Sequence, residues 1–183
     1  MRYLSDERFG AVAQFFHWLT AILVVVAFIY GPGGPEERIY SAGNDFDRQL
    51  HETLGLSVFV LTVLRLLWRF IDRQPAPPPM SHWMHIASKA LQGLLYLLLF
   101  AVPFTAISGA WLEGHDLTLL GATKIPAMIA ASHDTGETIA EIHGWLGDVI
   151  LWLAGAHAAA AIYHHVMLKD AVLVAMLPRW LKK

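Results

Sequence analysis

The chain has 183 residues, 56% of them hydrophobic and 15% charged, with a mean hydropathy of +0.47. That balance excludes an ordinary soluble domain of this size and points to a bilayer. The net charge of −2 offers nucleic acid no basic surface, and the absence of cysteine excludes disulfides, thiolate metal sites, iron–sulfur clusters and covalent c-type haem attachment.

A spanning helix needs roughly 20 mostly apolar residues, and four segments supply them. The first covers about residues 11–30 and ends at "GPGGP", residues 31 to 35, the strongest helix breakers available. Its apolar core is too long for a signal peptide, and no small-x-small cleavage site follows, so it is read as retained. The second covers about 49–70, and "QPAPPP", residues 74 to 79, is a stiff extended linker to the third, about 86–111. Pro103 lies inside the third span and is expected to kink it. The fourth covers about 139–167. The tail from Asp170 to Lys183 is apolar with basic residues at its end, and is expected on the membrane surface with Trp180 at the headgroups. The prediction is an all-α fold: one membrane domain over residues 1–183, a transmembrane four-helix bundle.

Lys and Arg set the orientation. Of the thirteen basic residues only Arg38, Arg48 and Lys124 fall in the loops about 31–50 and 112–138. Both termini are therefore predicted to be cytoplasmic. In a Gram-negative cell those two loops face the periplasm, and the protein is an inner-membrane one.

The ten histidines are conspicuous in so apolar a chain. "HGWLGDVILWLAGAH" begins at His143 and ends at His157. Fourteen residues return an α-helix to nearly the same face, about 21 Å further along the axis. One face of the fourth helix thus carries an imidazole in each leaflet. "FFHWLTA" puts His17 on the inner side of the first span, and "QLHETLGLSVFVLTVLRLLWR" puts His51 at the outer end of the second. Depth pairs His17 with His157 and His51 with His143. Two stacked His–His pairs in a four-helix bundle suit two b-type haems, each iron held by two neutral imidazoles. Gly55, Gly144 and Gly147 leave room beside the ligands for a flat porphyrin. A lone intramembrane His is more often an interhelical hydrogen-bonding residue; four at two matched depths are not explained that way. A His-rich metal transporter is a remote alternative, since it would place carboxylates beside the histidines at one midplane site.

With "HW" in the first span, "HETLGLSVFVLTVLRLLWR" in the second, "LYLLLFAVPFTAISG" in the third and "HAAAAIYHH" and "LPR" after His157, the chain resembles the bacterial cytochrome b561 family of four-helix dihaem membrane proteins over nearly its whole length. Short stand-alone members include a superoxide oxidase type. The resemblance implies that superoxide is oxidised on the periplasmic side and ubiquinone reduced near the cytoplasmic side, with His17, His51, His143 and His157 as axial ligands. His164, seven residues beyond His157, matches a histidine placed near the quinone. Arg65, fourteen residues after His51 at inner depth, is a candidate for a haem propionate or a quinone oxygen. Snorkelling to the headgroups is the other reading of both residues. His82, His85 and His165 read as surface residues near the cytoplasmic headgroups, and His115 and His133 as outer-loop residues. Two features depart from the family. Gln92 stands where members often carry a His. The outer side carries Glu36, Glu37, Asp45, Asp47, Glu52, Glu113, Asp116, Asp134, Glu137 and Glu141 against three basic residues, whereas a superoxide site should attract an anion. A local cluster around Lys124, His133 or Arg48 would have to supply that attraction. Asp148 is turned away from the ligand face; a hydrogen bond to a neighbouring helix is expected, with a proton relay as the weaker reading.

The expected activity is transmembrane electron transfer, with membrane lipid and ubiquinone as partners. The donor is superoxide or a periplasmic electron-donor protein. In the latter case the chain would be a haem b membrane anchor linking quinone to a periplasmic dehydrogenase or hydrogenase.

Overall fold

A computed structural model describes residues 8–31, 45–76, 78–121 and 123–178. Four long helices dominate it: α1 (Ala11–Ile29), α2 (Asp45–Ile71), α3 (His82–Leu112) and α4 (His133–Tyr163). Each is long and apolar enough to cross a membrane. Their outward faces agree: Phe70 on α2 is 81% exposed and Leu97 on α3 62%, as lipid-facing side chains of a bundle must be. The helices begin earlier than the apolar runs suggest, at Asp45, His82 and His133 rather than near 49, 86 and 139. The added turns are polar, and Asp45, Asp47 and Asp134 sit in first turns, where a carboxylate complements the helix dipole. His133 therefore opens a helix rather than lying in a loop. α3 runs unbroken through Pro103.

The helices pair as two hairpins. α1 packs along α2, and α3 packs along α4. The second hairpin is tight because glycines stand at its contacts. A Cβ on Gly109 would lie 3.3 Å from the Ala140 amide, and one on Gly136 would lie 2.8 Å from the Glu113 amide. A small apolar core at mid-height joins the hairpins: Val58, Leu98, Leu99 and Ile150, backed by Leu23, Val24, Leu95 and Val149.

The connection between α3 and α4 is more ordered than the loop expected there. Leu117–Thr118 (β1) and Lys124–Ile125 (β2) form an antiparallel ribbon. It lies over the start of α2, where the Thr118 amide donates to Glu52 and the Leu120 amide donates to Thr53 Oγ1 at 2.9 Å.

At the opposite end of the bundle, α4 continues into a π-helical turn, His164–Leu168, closed by Lys169 at φ 54°. The chain then folds back through the short α5 (Val172–Ala175) onto the start of α1. Gln14 donates to the carbonyls of Ala175 and Leu177, Trp18 Nε1 to Met176 at 2.8 Å, and Arg8 to Leu177 at 3.0 Å. The described part of the tail is thus bound to α1 by its backbone. Trp180 and residues 32–35 of the glycine–proline breaker lie outside the described residues.

Candidate functional site

The four intramembrane histidines meet in the pairs that depth suggests. His51 and His143 have ring centres 5.9 Å apart at an interplanar angle of 80°; His17 and His157 are 6.2 Å apart at 72°. Two imidazoles binding one metal ion from opposite sides, each nitrogen about 2 Å from it, place their ring centres roughly 6 Å apart. Both pairs have the separation that shared ligation requires. Among the described residues no group of three or more His, Cys, Asp or Glu side chains converges, so each pair stands as two imidazoles.

Two backbone carbonyls orient the outer pair, His51 and His143. The last four carbonyls of α1 have no intrahelical partner. One of them, Ala27, accepts from His51 Nδ1 at 2.7 Å. His143 Nδ1 donates at 2.9 Å to the carbonyl of Val102, the residue before Pro103. A carbonyl can only accept, so both rings carry their proton on Nδ1 and keep the Nε2 lone pair for a metal. Close packing holds the His51 ring: a Cβ on Gly31 would lie 3.3 Å from it. By contrast, a Cβ on Gly55, Gly144 or Gly147 meets no atom within 4 Å. Tight behind the ring and open beside it is the shape that a flat macrocycle requires.

The inner pair is set differently. Arg65 does not snorkel. Its guanidinium lies 5.3 Å above the Tyr96 ring, and Nη2 donates to His17 Nδ1 at 3.3 Å. A neutral imidazole has one lone pair, and a guanidinium only donates. Ligation by His17 Nε2 therefore requires Arg65 to give up this contact and turn to another acceptor. His164 heads the π-helical turn and donates from Nδ1 to Asp170 at 2.5 Å. The same carboxylate accepts the Val172 amide at 3.0 Å. Neither Tyr96 nor Asp170 was singled out in the sequence. Asp170 is six residues from His164, and only the π-helical turn and the left-handed Lys169 bring it back.

Three other expectations are settled by position. Arg48 is 9% exposed and bound by Asp45 and Glu52, so its charge is neutralised and it supplies no free positive funnel. Gln92 donates to Ser88 at 3.1 Å along its own helix. Asp148 makes no bond to a neighbouring helix: it is exposed on the outward face of α4, opposite the buried Ile150. Among the described residues it thus has no hydrogen bond to another helix of the same chain, and it lies outside any relay through the bundle interior.

A four-helix membrane bundle with two histidine pairs stacked along its axis fits a class: membrane cytochromes that transfer electrons through b-type haem. The chain belongs to the prokaryotic cytochrome b561 family, whose model matches residues 8–179. It is 31% identical over 174 residues to cytochrome b561 homolog 2 of Escherichia coli K12, covering 94% of this chain and 93% of that protein. Cytochrome b561 homolog 1 of the same organism is 27% identical over 181 residues, covering 94% and 98%. The protein named probable superoxide oxidase CybB of Yersinia pestis is 28% identical over 187 residues, covering 94% and 97%.

Proposed function

We propose that this chain is a superoxide:ubiquinone oxidoreductase of the bacterial inner membrane, with both termini cytoplasmic and two haems b. His51 and His143 would hold the periplasmic haem, His17 and His157 the cytoplasmic one. The observation that carries the reading is the pair of imidazole couples, 5.9 and 6.2 Å across, at opposite ends of one bundle. Likeness to a relative named as a probable superoxide oxidase supports the choice of donor.

Haem held by each imidazole pair would supply a one-electron couple, and the two imidazoles would leave the iron no place to bind substrate. Two superoxide anions each lose one electron and leave as dioxygen; ubiquinone takes up the two electrons and two protons and leaves as ubiquinol. The Ala27 and Val102 carbonyls fix the tautomers of His51 and His143. Asp170 accepts the Nδ1 proton of His164, so a second proton taken up at Nε2 would make an imidazolium paired with the carboxylate, and that Nε2 proton would pass to a reduced quinone at the membrane boundary. Arg65, released from His17, is the cation nearest the inner site and takes a propionate or a quinone oxygen.

One observation favours a second reading. Arg48 is occupied by Asp45 and Glu52, which leaves the periplasmic end acidic. Such a surface suits docking of a basic donor protein, in which case the chain is a haem b anchor for a periplasmic dehydrogenase or hydrogenase. Stopped-flow mixing of oxidised protein with superoxide, followed at the haem bands, separates the two. The expected result is rapid reduction, then reoxidation by quinone that His164→Ala slows about a hundredfold while leaving reduction unchanged. Raising salt should speed reduction if the acidic end repels superoxide. A wild-type reduction rate no faster than that of His51→Ala would eliminate superoxide and leave the anchor reading.

A further inference from the structure

The outward face of α4 is unlike a lipid-facing surface. Glu141, Trp145, Asp148, Trp152, Gly155 and Ala159 are all exposed, and their spacings of four, three, four, three and four form one unbroken seam. Leu, Ile and Val fill most lipid-facing positions elsewhere in the bundle; here the residues are acidic, aromatic or small. Asp148 lies about 7.5 Å below the level of His143 and about 13.5 Å above that of His157, close to the middle of a hydrocarbon core about 30 Å thick. Lipid offers a carboxyl group no partner at that depth. Its neighbours along the seam, Trp145 and Trp152, are 77% and 81% exposed, and neither indole N–H has a hydrogen-bond partner among the described residues.

We propose that this seam is a homodimer interface in which two copies pack α4 against α4 about a two-fold axis along the membrane normal. The occupant is a second copy because the patch is self-complementary. It carries an acceptor flanked, within one turn on either side, by two donors, and a two-fold axis along the normal sets identical residues at identical depth. The indole N–H groups of each copy then reach the Asp148 carboxyl of the other. A sustained three–four repeat is the spacing that keeps a seam between two helices in a left-handed crossing. Gly155 and Ala159, about two and three turns beyond Asp148, let the backbones approach, as small residues do where membrane helices associate. A helix of another protein would need its own donor at this depth; the second copy already has two.

The chain has no cysteine, so single-cysteine variants report cleanly. Gly155→Cys and Ala159→Cys, expressed as full-length holoprotein and oxidised in native membranes, should give a disulfide-linked dimer. Ile22→Cys on α1 and Phe104→Cys on α3, at positions 57% and 65% exposed, should not. In the Gly155→Cys background, Asp148→Leu should weaken dimerisation about sixtyfold, as loss of four interhelical hydrogen bonds, two at each carboxyl, implies, whereas Asp148→Asn should largely retain it. Absence of dimer at both seam positions, equal cross-linking at Ile22→Cys and Phe104→Cys, or an adduct with a different protein would each overturn the proposal. Haem content measured on every variant separates a lost interface from a lost fold. The two cysteine variants with Asp148 intact decide the question even where Asp148→Leu does not fold.

Discussion

Removing one of the paired histidines at a time tests the proposed haem sites directly. His143 and His157 are fourteen residues apart on α4, about 21 Å along the axis, while each lies only about 6 Å from its partner. No side chain of one pair can reach the other site. His51→Ala and His143→Ala should therefore each reduce haem from two to about one per chain and abolish the same component of a redox titration; His17→Ala and His157→Ala should abolish the other. The collateral cost is small. His51→Ala leaves the Ala27 carbonyl, and His143→Ala the Val102 carbonyl, without its imidazole donor, at about 1–3 kcal/mol each. Val102 still accepts from Thr105 Oγ1, so its loss should lie at the low end. Penalties of this size shift stability without unfolding a four-helix bundle, so the surviving haem should keep a six-coordinate low-spin spectrum. Pyridine haemochrome quantification per polypeptide and potentiometric titration read both outcomes. If His17→Ala and His51→Ala removed the same component, or either variant lost both haems, the assignment of two independent bis-imidazole sites would be refuted.

Two glycines give sharper local tests. A Cβ on Gly31 lies 3.3 Å from the His51 ring, and Gly31→Val adds two further methyl groups there. The ring should be pushed off the Ala27 carbonyl, and in a redox titration only the component removed by His51→Ala should move or vanish. Gly136→Ala sets a methyl 2.7 Å from Glu113 Cγ and 3.0 Å from the Leu112 carbonyl carbon, where the backbone cannot yield. Such overpacking costs about 1–3 kcal/mol, and the thermal midpoint should fall by several degrees with the haem content unchanged; an unaltered melting curve would contradict the close α3–α4 packing.

The helices and the histidine pairs were legible because each rests on a period. Apolar runs of spanning length identify the helices, and a fourteen-residue spacing brings His143 and His157 to one face at two depths. The features that were not legible rest on acceptors or contacts with no side-chain signature. The tail is held to α1 through the carbonyls of Ala175, Met176 and Leu177, which any residue presents. His51 and His143 are oriented by backbone carbonyls for the same reason. The ribbon over α2 has only two residues in each strand, too few for alternation to show. Arg48 reads as one cation among many acids, and only the helical turn that places Asp45 and Glu52 beside it reveals that its charge is already used. Asp148 was legible as an anomaly but not as to its surroundings, since its helix face follows from the His spacing and its neighbours do not.

The two hairpins also explain why the ligands are distributed as they are. α1 and α2 form one unit and α3 and α4 the other, and the backbones of α2 and α4 stay apart along their length. Each imidazole pair crosses that division: His17 and His51 come one each from α1 and α2, and both partners come from α4. α3 gives no ligand, yet its Val102 carbonyl orients one. The buried apolar packing between the hairpins is centred on the mid-height cluster around Val58 and Ile150, with the ribbon on α2 and the tail on α1 adding hydrogen bonds at the two ends. In the proposed holoprotein each iron therefore joins the two hairpins above and below that cluster. Cofactor affinity then adds to the stability of the bundle by mass action, because the assembled state binds it and the separated hairpins do not. An arrangement in which each hairpin supplied both ligands of one site would bind haem as well but would add no tie between the hairpins. Placing both partners on α4 would make each redox centre a further tie between the hairpins.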